Sequence, residues 1–462
     1  VTVHSADSIT LSCKIRVNHR GKTITGAYLL HVAYLQSGGT AAFLRQHSTL
    51  QFKEAVHTNL SVENIFEVSG EKATAMLAEQ MELTGGPAEG TPPNTTIYTY
   101  GMKAHSLLAN ARPAAFFEMG YQSTDSVGSR LSMPVVGFAF PSAGGKNIHL
   151  SVSSDPYAGT QFYGQSLEPG GKKTTRIRMV SNYCGEVVPL LSEARTAVLA
   201  YSHSGTDGII RSFYNTIPEI APAPSWVHEV ALAYYDYNSE DGKGWYRDMD
   251  AMAAKCPPEH RSKIAVCLHG WYDNTGYYCY DHSTGTLKDE WMAFANPAPG
   301  YNSKHPIQMS KTEMHQRISY ARNKGFRVIL YFADGTNCTG TPDFHKGEQF
   351  RYKDGSYKGG WTGPCGGGPA LDPASRSVQE WYLGYLEALL QEYGKEIDGL
   401  VFDETNYFLA DDVSYRIPSA PAYADREMMK WMALLKQKVQ QWRTVNPDLV
   451  FLEGSHYFYG LV

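Results

Sequence analysis

Five short apolar runs in the second half of this chain constrain its fold more than any other feature. They alternate with longer segments of helical spacing. This pattern is typical of a parallel sheet whose strands are buried on both faces and joined by helices. The predicted strands cover residues 230–236, 264–270, 327–335, 398–404 and 448–454.

The helices between these strands have recognisable ends. Ser310 and Glu313 form a capping box, and Gly325 ends the helix that follows. Asp372, followed by a proline, predicts the N-cap of a second helix that ends at Gly394. A third helix, from about residue 425 to 443, carries one apolar stripe: Met428, Trp431, Met432, Leu435 and Val439.

The first half of the chain has a different period. Up to about Thr206, short alternating or β-branched runs are separated by Gly, Pro, Asn and Ser clusters, which predicts an antiparallel β-sandwich. The segment EKATAMLAEQM predicts a helical interruption. Residues 215–226 hold three prolines and predict a stiff linker. The expected domains are therefore a sandwich over 1–214, a linker over 215–226 and a (β/α)-barrel domain over 227–462.

The predicted fold class is thus multidomain, β followed by α/β, with a TIM-type barrel that stops after about five strands. A closed parallel barrel needs eight strands. We expect the remaining strands to lie in residues absent from this chain, so that the barrel domain is incomplete at its C-terminal side. The alternative is an open parallel sheet.

Composition excludes several classes of function. The chain has 41 basic and 46 acidic residues and a net charge of −5, so no large positive field favours nucleic acid. No run approaches the roughly 20 apolar residues of a membrane span. No HExxH or CxxC pattern suggests a metal, and nothing calls for a cofactor.

The expected partner is a carbohydrate. Oligomeric state is left open, and a secreted or periplasmic location is favoured over a cytoplasmic one.

Each predicted strand ends in a polar group, and barrel enzymes take their catalytic groups from several strand ends on one face. These groups are Asp236, His269, Asp334, the pair Asp403 and Glu404, and Glu453. Glycoside hydrolysis needs one carboxylate as nucleophile or base and a second as acid. Because successive strand residues face opposite sides, only one of the pair faces the barrel axis. We predict Asp403 as the nucleophile, with Glu404 as the alternative and Glu453 as an acid or a sugar ligand.

Other residues near these strand ends suit sugar binding. His269 offers ring nitrogens for sugar hydroxyls, and Trp271 offers an indole face for a sugar ring. Asp236, Asp334, Asn406 and Tyr407 complete the predicted substrate-binding set. The glycine-rich loop over 359–369 is either a lid or a surface loop, and it lacks the Gly-Lys-Ser/Thr ending of a phosphate loop.

The stretch from LDPASRSVQEWYLGYL to IDGLVFDETN resembles the fourth βα unit of the retaining α-glycosidases of glycoside hydrolase families 36 and 31 and their relatives. MPVVGFAFPSAGGKNIHLSVSSDPY and GIIRSFYNTIPEIAPAPSW resemble the sandwich edge and linker that precede the barrel in that group. The resemblance implies a β-supersandwich, a barrel and a nucleophilic aspartate at the end of the fourth strand, which is Asp403 here. In those families the acid/base residue belongs to the sixth strand. Only five strands are predicted here, so the resemblance assigns no acid/base residue to this chain.

Two readings of function remain from the sequence. The first is a retaining, exo-acting α-glycosidase of the α-galactosidase or α-glucosidase kind. The second is a non-catalytic glycan-binding or structural protein on a degenerate barrel, since a fold does not determine function. A hydrolase for esters is disfavoured because the chain lacks a GxSxG motif.

Overall fold

The computed structural model describes most of the chain in separate stretches. These are residues 2–5, 7–19, 21–37, 41–54, 56–57, 60–83, 98–105, 115–117, 131–141, 148–154, 160–183, 186–187, 193–202, 223–236, 244–272, 279–293, 308–334, 347–359, 369–403, 412–419 and 421–453. The chain divides into two compact units, the first of Val1–Ile220, Leu409–Asp412 and His456–Leu461 and the second of Ala221–Phe408, Val413–Ser455 and Val462. The main division lies between Ile220 and Ala221. This division falls within the predicted linker, most of which lies outside the described residues, so the linker and the domain bounds stay predictions.

The described residues of the first unit lie mainly in β-strands. These strands are β1 Thr2–Ser5, β2 Ser8–His19, β3 Lys22–Ser37, β4 Ala41–Phe52, β5 Val56–His57, β6 Leu60–Ser69, β7 Ala75–Leu83, β8 Tyr98–His105, β9 Ala115–Phe117, β10 Leu131–Phe140, β11 Ile148–Ser154, β12 Thr160–Leu167, β13 Thr174–Tyr183, β14 Glu186–Val187 and β15 Glu193–Ser202. A short 3-10 helix, Pro169–Gly171, joins β12 to β13.

Every strand pairing described in this unit is antiparallel. Nine strands form one sheet in the order β1-β2-β3-β4-β15-β11-β10-β7-β8, and four form another in the order β6-β13-β12-β9. Burial alternates along β6, where Asn64 and Phe66 are buried and Glu63 and Glu67 are exposed. The predicted antiparallel architecture is confirmed, and its layering as a sandwich stays a prediction.

One predicted element is wrong. EKATAMLAEQM was expected to be helical because it is rich in good helix formers, yet most of it lies in β7. β7 pairs with β10 on one side, where Met76 is opposite Phe138, and with β8 on the other. Met76 is fully buried. Pairing on both edges and burial of this side chain override the weak local helix propensity.

The second unit alternates strands with helices. Its strands are β16 Leu232–Asp236, β17 Ile264–Leu268, β18 Tyr280–Asp281, β19 Thr286–Leu287, β20 Glu290–Met292, β21 Gln308–Ser310, β22 Arg327–Asp334, β23 Gly399–Asp403, β24 Val413–Ser414, β25 Ala422–Tyr423 and β26 Val450–Glu453. Its helices are α1 Gly244–Lys255, α2 Lys311–Asn323, α3 Arg376–Tyr393 and α4 Ala424–Trp442, with 3-10 turns at Ser225–Glu229 and Pro258–Lys263.

The five predicted strands form one parallel sheet in the order β16-β17-β22-β23-β26. All five residues of β17 are buried, as expected for a strand covered on both faces. The strand predictions of the sequence are confirmed. Closure into a barrel is not observed in the described residues and stays a prediction.

The helix ends follow local rules with one exception. The Ser310 hydroxyl accepts a hydrogen bond from the amide of Glu313 at the start of α2, and Gly325 takes a positive φ just after that helix ends. At α3 the N-cap is Ser375, not Asp372 as predicted. The Asp372 carboxylate instead accepts from the amide of Ala374, one turn too early to cap the helix.

The helices cover the sheet with aromatic side chains. Phe332 of β22 stacks on Tyr385 of α3 with ring centroids 4.9 Å apart. Phe402 of β23 meets Trp431 of α4 edge to face at 5.4 Å. The predicted α4 stripe is buried throughout, which confirms it. Contacts of this kind add about 0.5–1.5 kcal/mol each beyond the burial of apolar area.

A buried carboxylate joins three neighbouring strands at their amino ends. Asp398 is 1% exposed and accepts hydrogen bonds from Arg322, from Arg327 and from the backbone amide of Val328, all at 2.8–2.9 Å. Its own amide donates to the Val328 carbonyl, and its carbonyl accepts from the amide of Val450. The β22, β23 and β26 strands are therefore tied together at one residue.

The Asp398 network extends to the start of the unit. Arg327 also binds Asp448 at 2.8 Å, and its guanidinium lies 5.2 Å from the ring centroid of Trp226. The Trp226 indole donates to the Asp448 carbonyl at 2.9 Å. Trp226 is 4% exposed. This residue, predicted as the last of the linker, therefore belongs to the core of the second unit.

We predict that Asp398→Asn lowers the free energy of unfolding by about 2–4 kcal/mol, because two guanidinium groups lose a buried charged partner. Urea denaturation followed by tryptophan fluorescence measures the change. The control is Glu380→Gln, which breaks an exposed ion pair with Arg376 and should change stability by less than about 0.5 kcal/mol. Equal stability of the two variants would contradict the role given to Asp398.

Candidate active site

The register of the parallel sheet gathers the predicted site residues at one edge. Asp236 pairs with Leu268, the residue before His269. Asp334 pairs with Asp403, and Glu453 pairs with Phe402. All five strand-end residues therefore lie at the carboxyl edge of the same sheet. The orientation of the four carboxylates is not described, so their convergence on one cleft stays a prediction.

A β-bulge in β22 brings two of the aspartates into register. Tyr331 pairs with Val401 and Ala333 pairs with Phe402, so that Phe332 is the extra residue. In a regular strand without a bulge, position 334 would face the side of the sheet opposite to Tyr331, because successive strand residues alternate. The extra residue places Asp334 directly opposite Asp403. Bulges of this kind are frequent beside active sites, where they redirect a side chain.

His269, directly after β17, is 9% exposed. Its ring meets that of Tyr331 edge to face at 4.3 Å, and the Tyr272 hydroxyl lies 3.4 Å from Nε2. Burial lowers the pKa of His269 to about 3, because desolvation penalises the charged imidazolium. At neutral pH the ring is therefore a neutral group with one donor and one acceptor nitrogen.

Trp271 does not present its indole to solvent. The side chain is fully buried, its indole N–H donates to the Tyr331 carbonyl at 2.9 Å, and its ring contacts Trp291 and Tyr393. The prediction that this ring stacks on a sugar is therefore wrong for this structure. Its hydrogen bond to β22 makes it a support beneath the sheet edge. Its position directly after the predicted strand 264–270 could not distinguish this role from stacking on a sugar.

Tyr331 is a residue of the site that the sequence did not reveal. It lies within an apolar run and carries no motif, yet its ring contacts His269 and stacks on Tyr272 at 5.5 Å with planes 20° apart. All three side chains are buried or nearly so. They form a packed aromatic floor at the carboxyl ends of β17 and β22.

Several predicted residues lie outside the described part of the chain. These are Glu404, Asn406, Tyr407 and most of the glycine-rich loop, while Asp236, Asp334, Asp403 and Glu453 are described by their backbone alone. The ends of that loop are joined, since Gly359 and Pro369 form an antiparallel bridge. The assignment of these residues to catalysis or binding stays a prediction.

Within the described residues, no three His, Cys, Asp or Glu side chains are grouped to hold a metal ion. No helix in the described ranges combines the length and the apolar character needed to cross a membrane.

Similarity to solved structures extends over nearly the whole chain at low sequence identity. An uncharacterized protein from Listeria monocytogenes, solved with α-D-glucose, β-D-glucose, magnesium and calcium, aligns with a TM-score of 0.52 at 12% identity. The alignment covers 98% of this chain and 43% of that one. It shows a common fold.

Two solved glycosidases also align, with lower scores. An α-N-acetylgalactosaminidase from Bifidobacterium bifidum has a TM-score of 0.47 at 12% identity, over 96% of this chain and 69% of its own. An α-galactosidase from Thermus thermophilus, solved with stachyose, has 0.46 at 14%, over 97% and 77%. No protein-family model matches the sequence, and no curated protein matches it.

We predict that His269 makes the protein less stable in acid. Its folded-state pKa lies below its ordinary value of 6.5, so below pH 6.5 the unfolded chain binds a proton that the folded chain does not. Stability from this residue is present above pH 6.5 and is lost as pH falls toward 3. The slope is at most about 1.4 kcal/mol per pH unit.

The measurement is the free energy of unfolding of the wild type and of His269→Gln between pH 7.5 and 4.5. The variant keeps a polar side chain but has no ring to protonate, so its stability should fall less steeply. The comparison of slopes is independent of any constant loss of stability in the variant. Identical slopes would show that His269 protonates normally in the folded protein.

Proposed function

We propose that this chain is a glycoside hydrolase, specifically a retaining, exo-acting α-glycosidase, and that Asp403 is its nucleophile. The observation that carries the proposal is the pairing of Asp334 with Asp403 at the carboxyl edge of a parallel sheet. This pairing puts the proposed nucleophile at the strand-end edge, with Asp334 on one neighbouring strand and the candidate acid Glu453 on the other. Glycosidic bond cleavage needs a nucleophilic carboxylate and an acid.

Strand order supports a barrel-type sheet over a doubly wound one. The parallel strands lie side by side in chain order, β16-β17-β22-β23-β26. A doubly wound sheet reverses direction at a switch point, whereas a (β/α) barrel adds each strand beside the previous one. We therefore infer a (β/α)-barrel domain, whose substrate site lies at the carboxyl ends of its strands.

The position of Asp403 within β23 supports its role. Phe402 packs against Trp431 of α4, so it lies on the helix-covered face. Alternation along the strand assigns positions 401 and 403 to the other face, which would line the barrel. Glu404 would return to the helix side if the strand continued. This alternation favours Asp403 over Glu404 as nucleophile.

The remaining residues receive supporting roles. In the register of the sheet, Glu453 is the partner of Phe402, one step from Asp403, and we retain it as a candidate acid. Asp334, paired with Asp403, and Asp236 are proposed to bind sugar hydroxyls, together with Asn406 and Tyr407. Neutral His269 supports the same edge through Tyr331 and Tyr272.

The proposed reaction has two steps. A carboxylate oxygen of Asp403 bonds to the anomeric carbon as the bond from that carbon to the leaving oxygen breaks, and the acid gives that oxygen a proton. Water, deprotonated by the same acid residue, then displaces Asp403 and releases the sugar. The carbohydrate class is supported by the glucose in the Listeria structure of similar fold.

We predict that Asp403→Asn lowers kcat on the best substrate of an aryl α- and β-glycoside panel by three or more orders of magnitude, with the fold unchanged. An amide keeps the shape of the carboxylate but cannot form the glycosyl intermediate. The matched control is Glu404→Gln, the same chemical change one residue away, which should retain most activity.

Rescue by azide provides a second test, because azide would not restore turnover if Asp403 had only a structural role. In Asp403→Gly, azide should enter the space left by the carboxylate and restore turnover, with the glycosyl azide as product. A dead Glu404→Gln beside an active Asp403→Asn would move the nucleophile by one residue. Full activity of both variants would show that the nucleophile is another residue and would contradict the role given to Asp403. Sugar binding without hydrolysis by the wild type would favour the non-catalytic glycan-binding protein instead.

A further inference from the structure

Two loops leave the carboxyl edge of the sheet beside the paired aspartates. The first connects β22 to α3 and starts after Asp334. The second connects β23 to α4 and starts after Asp403. We call them the β22–α3 loop and the β23–α4 loop. In parallel-barrel enzymes such loops build the substrate site.

Arg416 of the β23–α4 loop bridges two carboxylates of the β22–α3 loop. Its Nε lies 3.0 Å from Oδ2 of Asp372, and its Nη1 lies 2.8 Å from Oε2 of Glu348. The Asp372 side chain is only 2% exposed and that of Arg416 is 16% exposed. Different nitrogens of one guanidinium thus hold two separate acids, an arrangement for which a single ammonium group is poorly shaped.

Hydroxyl and amide donors complete the partners of both carboxylates. Ser414 donates to Oδ2 of Asp372 at 2.7 Å, and the Ala374 amide donates to Oδ1 at 2.9 Å. Ser375 donates to Oε2 of Glu348 at 2.5 Å. A buried ion pair is tolerated when its remaining hydrogen-bonding capacity is satisfied in this way.

The backbone and an aromatic ring connect the same two loops. The amide of Tyr415 donates to the carbonyl of Arg351 at 2.7 Å. The ammonium of Lys353 lies 5.5 Å from the ring centroid of Tyr415. Each residue from Ser414 to Arg416 therefore contacts the β22–α3 loop, and the contacts span side chains and main chain.

We propose that Arg416 is a positioning residue, which clasps the β22–α3 and β23–α4 loops into one unit at the edge where Asp334 and Asp403 end their strands. This inference rests on the proposed function for its catalytic meaning. A buried ion pair adds little net stability over an apolar replacement, because desolvation offsets its attraction, whereas removal of one partner alone is destabilising. The clasp therefore acts on loop geometry, and misplacement of a substrate-positioning group by about 1 Å can cost a hundredfold in rate.

The test uses Arg416→Met, which keeps much of the length and removes the charge, and Arg416→Lys, which keeps the charge but offers one nitrogen. Arg376→Met is the matched control, because Arg376 forms an exposed ion pair with Glu380 within α3. Hydrogen–deuterium exchange is followed in residues 347–359 and 413–419 of the whole protein. Steady-state kinetics are measured on the best glycoside, well below the melting temperature of each variant.

We expect Arg416→Met to speed exchange in both loops and to lower kcat/KM by about tenfold to a hundredfold, mainly through a higher KM. The pH profile of kcat should not move, because the strand-end carboxylates are unchanged. Arg416→Lys should lie between the wild type and Arg416→Met. Arg376→Met should match the wild type in both measurements.

Two results would overturn the proposal. Unchanged exchange in either loop of Arg416→Met would show that Arg416 does not join them. Faster exchange in both loops with kcat/KM equal to that of Arg376→Met would leave Arg416 a purely structural residue. If the wild type hydrolyses no glycoside, the proposed function fails on its own, and exchange in the two loops still decides whether the clasp exists.

Discussion

Asp398 is the residue on which the arrangement of the second unit depends. Its buried carboxylate accepts hydrogen bonds from Arg322, from Arg327 and from the Val328 amide, while its backbone bonds to both β22 and β26. These contacts set the register of β23 against both neighbours at their amino ends. Parallel strands propagate that register along their length. An interaction at the amino edge of these three strands therefore helps to align Asp334, Asp403 and Glu453 at their carboxyl edge.

The register alone would not align the two aspartates of β22 and β23. The bulge at Phe332 adds one residue to β22, so that Phe332 packs on Tyr385 while Asp334 still pairs with Asp403. The same strand presents Tyr331 to His269 and Tyr272. The pairing of the two acidic positions thus derives from the bulge, while the aromatic floor is formed by Tyr331, which lies just before it. A floor of this kind lowers the local dielectric and strengthens electrostatic interactions nearby.

The sequence predicted the features that depend on residues close together in the chain. The five parallel strands, the Ser310 cap and the buried stripe of α4 follow from period and end residues, which a short window of sequence contains. Helix α1 was not predicted, although Trp245, Met249 and Ala253 are buried at a spacing of four.

What the sequence did not predict depends on distant residues. β7 is a strand because β8 and β10 flank it, Asp372 is drawn from capping α3 toward Arg416, and Trp271 is buried because Tyr331 and Trp291 surround it. The bulge in β22 is a property of pairing and has no counterpart in the strand's own residues. For the candidate site, the sequence predicted that the strand-end residues share one edge of the sheet, whereas the aromatic floor and the loop contacts required the fold.

The central claim is that Asp403 forms a covalent bond with the sugar, and trapping tests it most directly. A 5-fluoro-α-glycosyl fluoride of the preferred sugar reacts by loss of fluoride, and its remaining fluorine slows hydrolysis of the intermediate. Peptide mass mapping then identifies the labelled residue. The account predicts one added sugar on the peptide that contains Asp403, and none in Asp403→Asn. A label at another strand end, or hydrolysis of substrate with no labelled peptide, would contradict it.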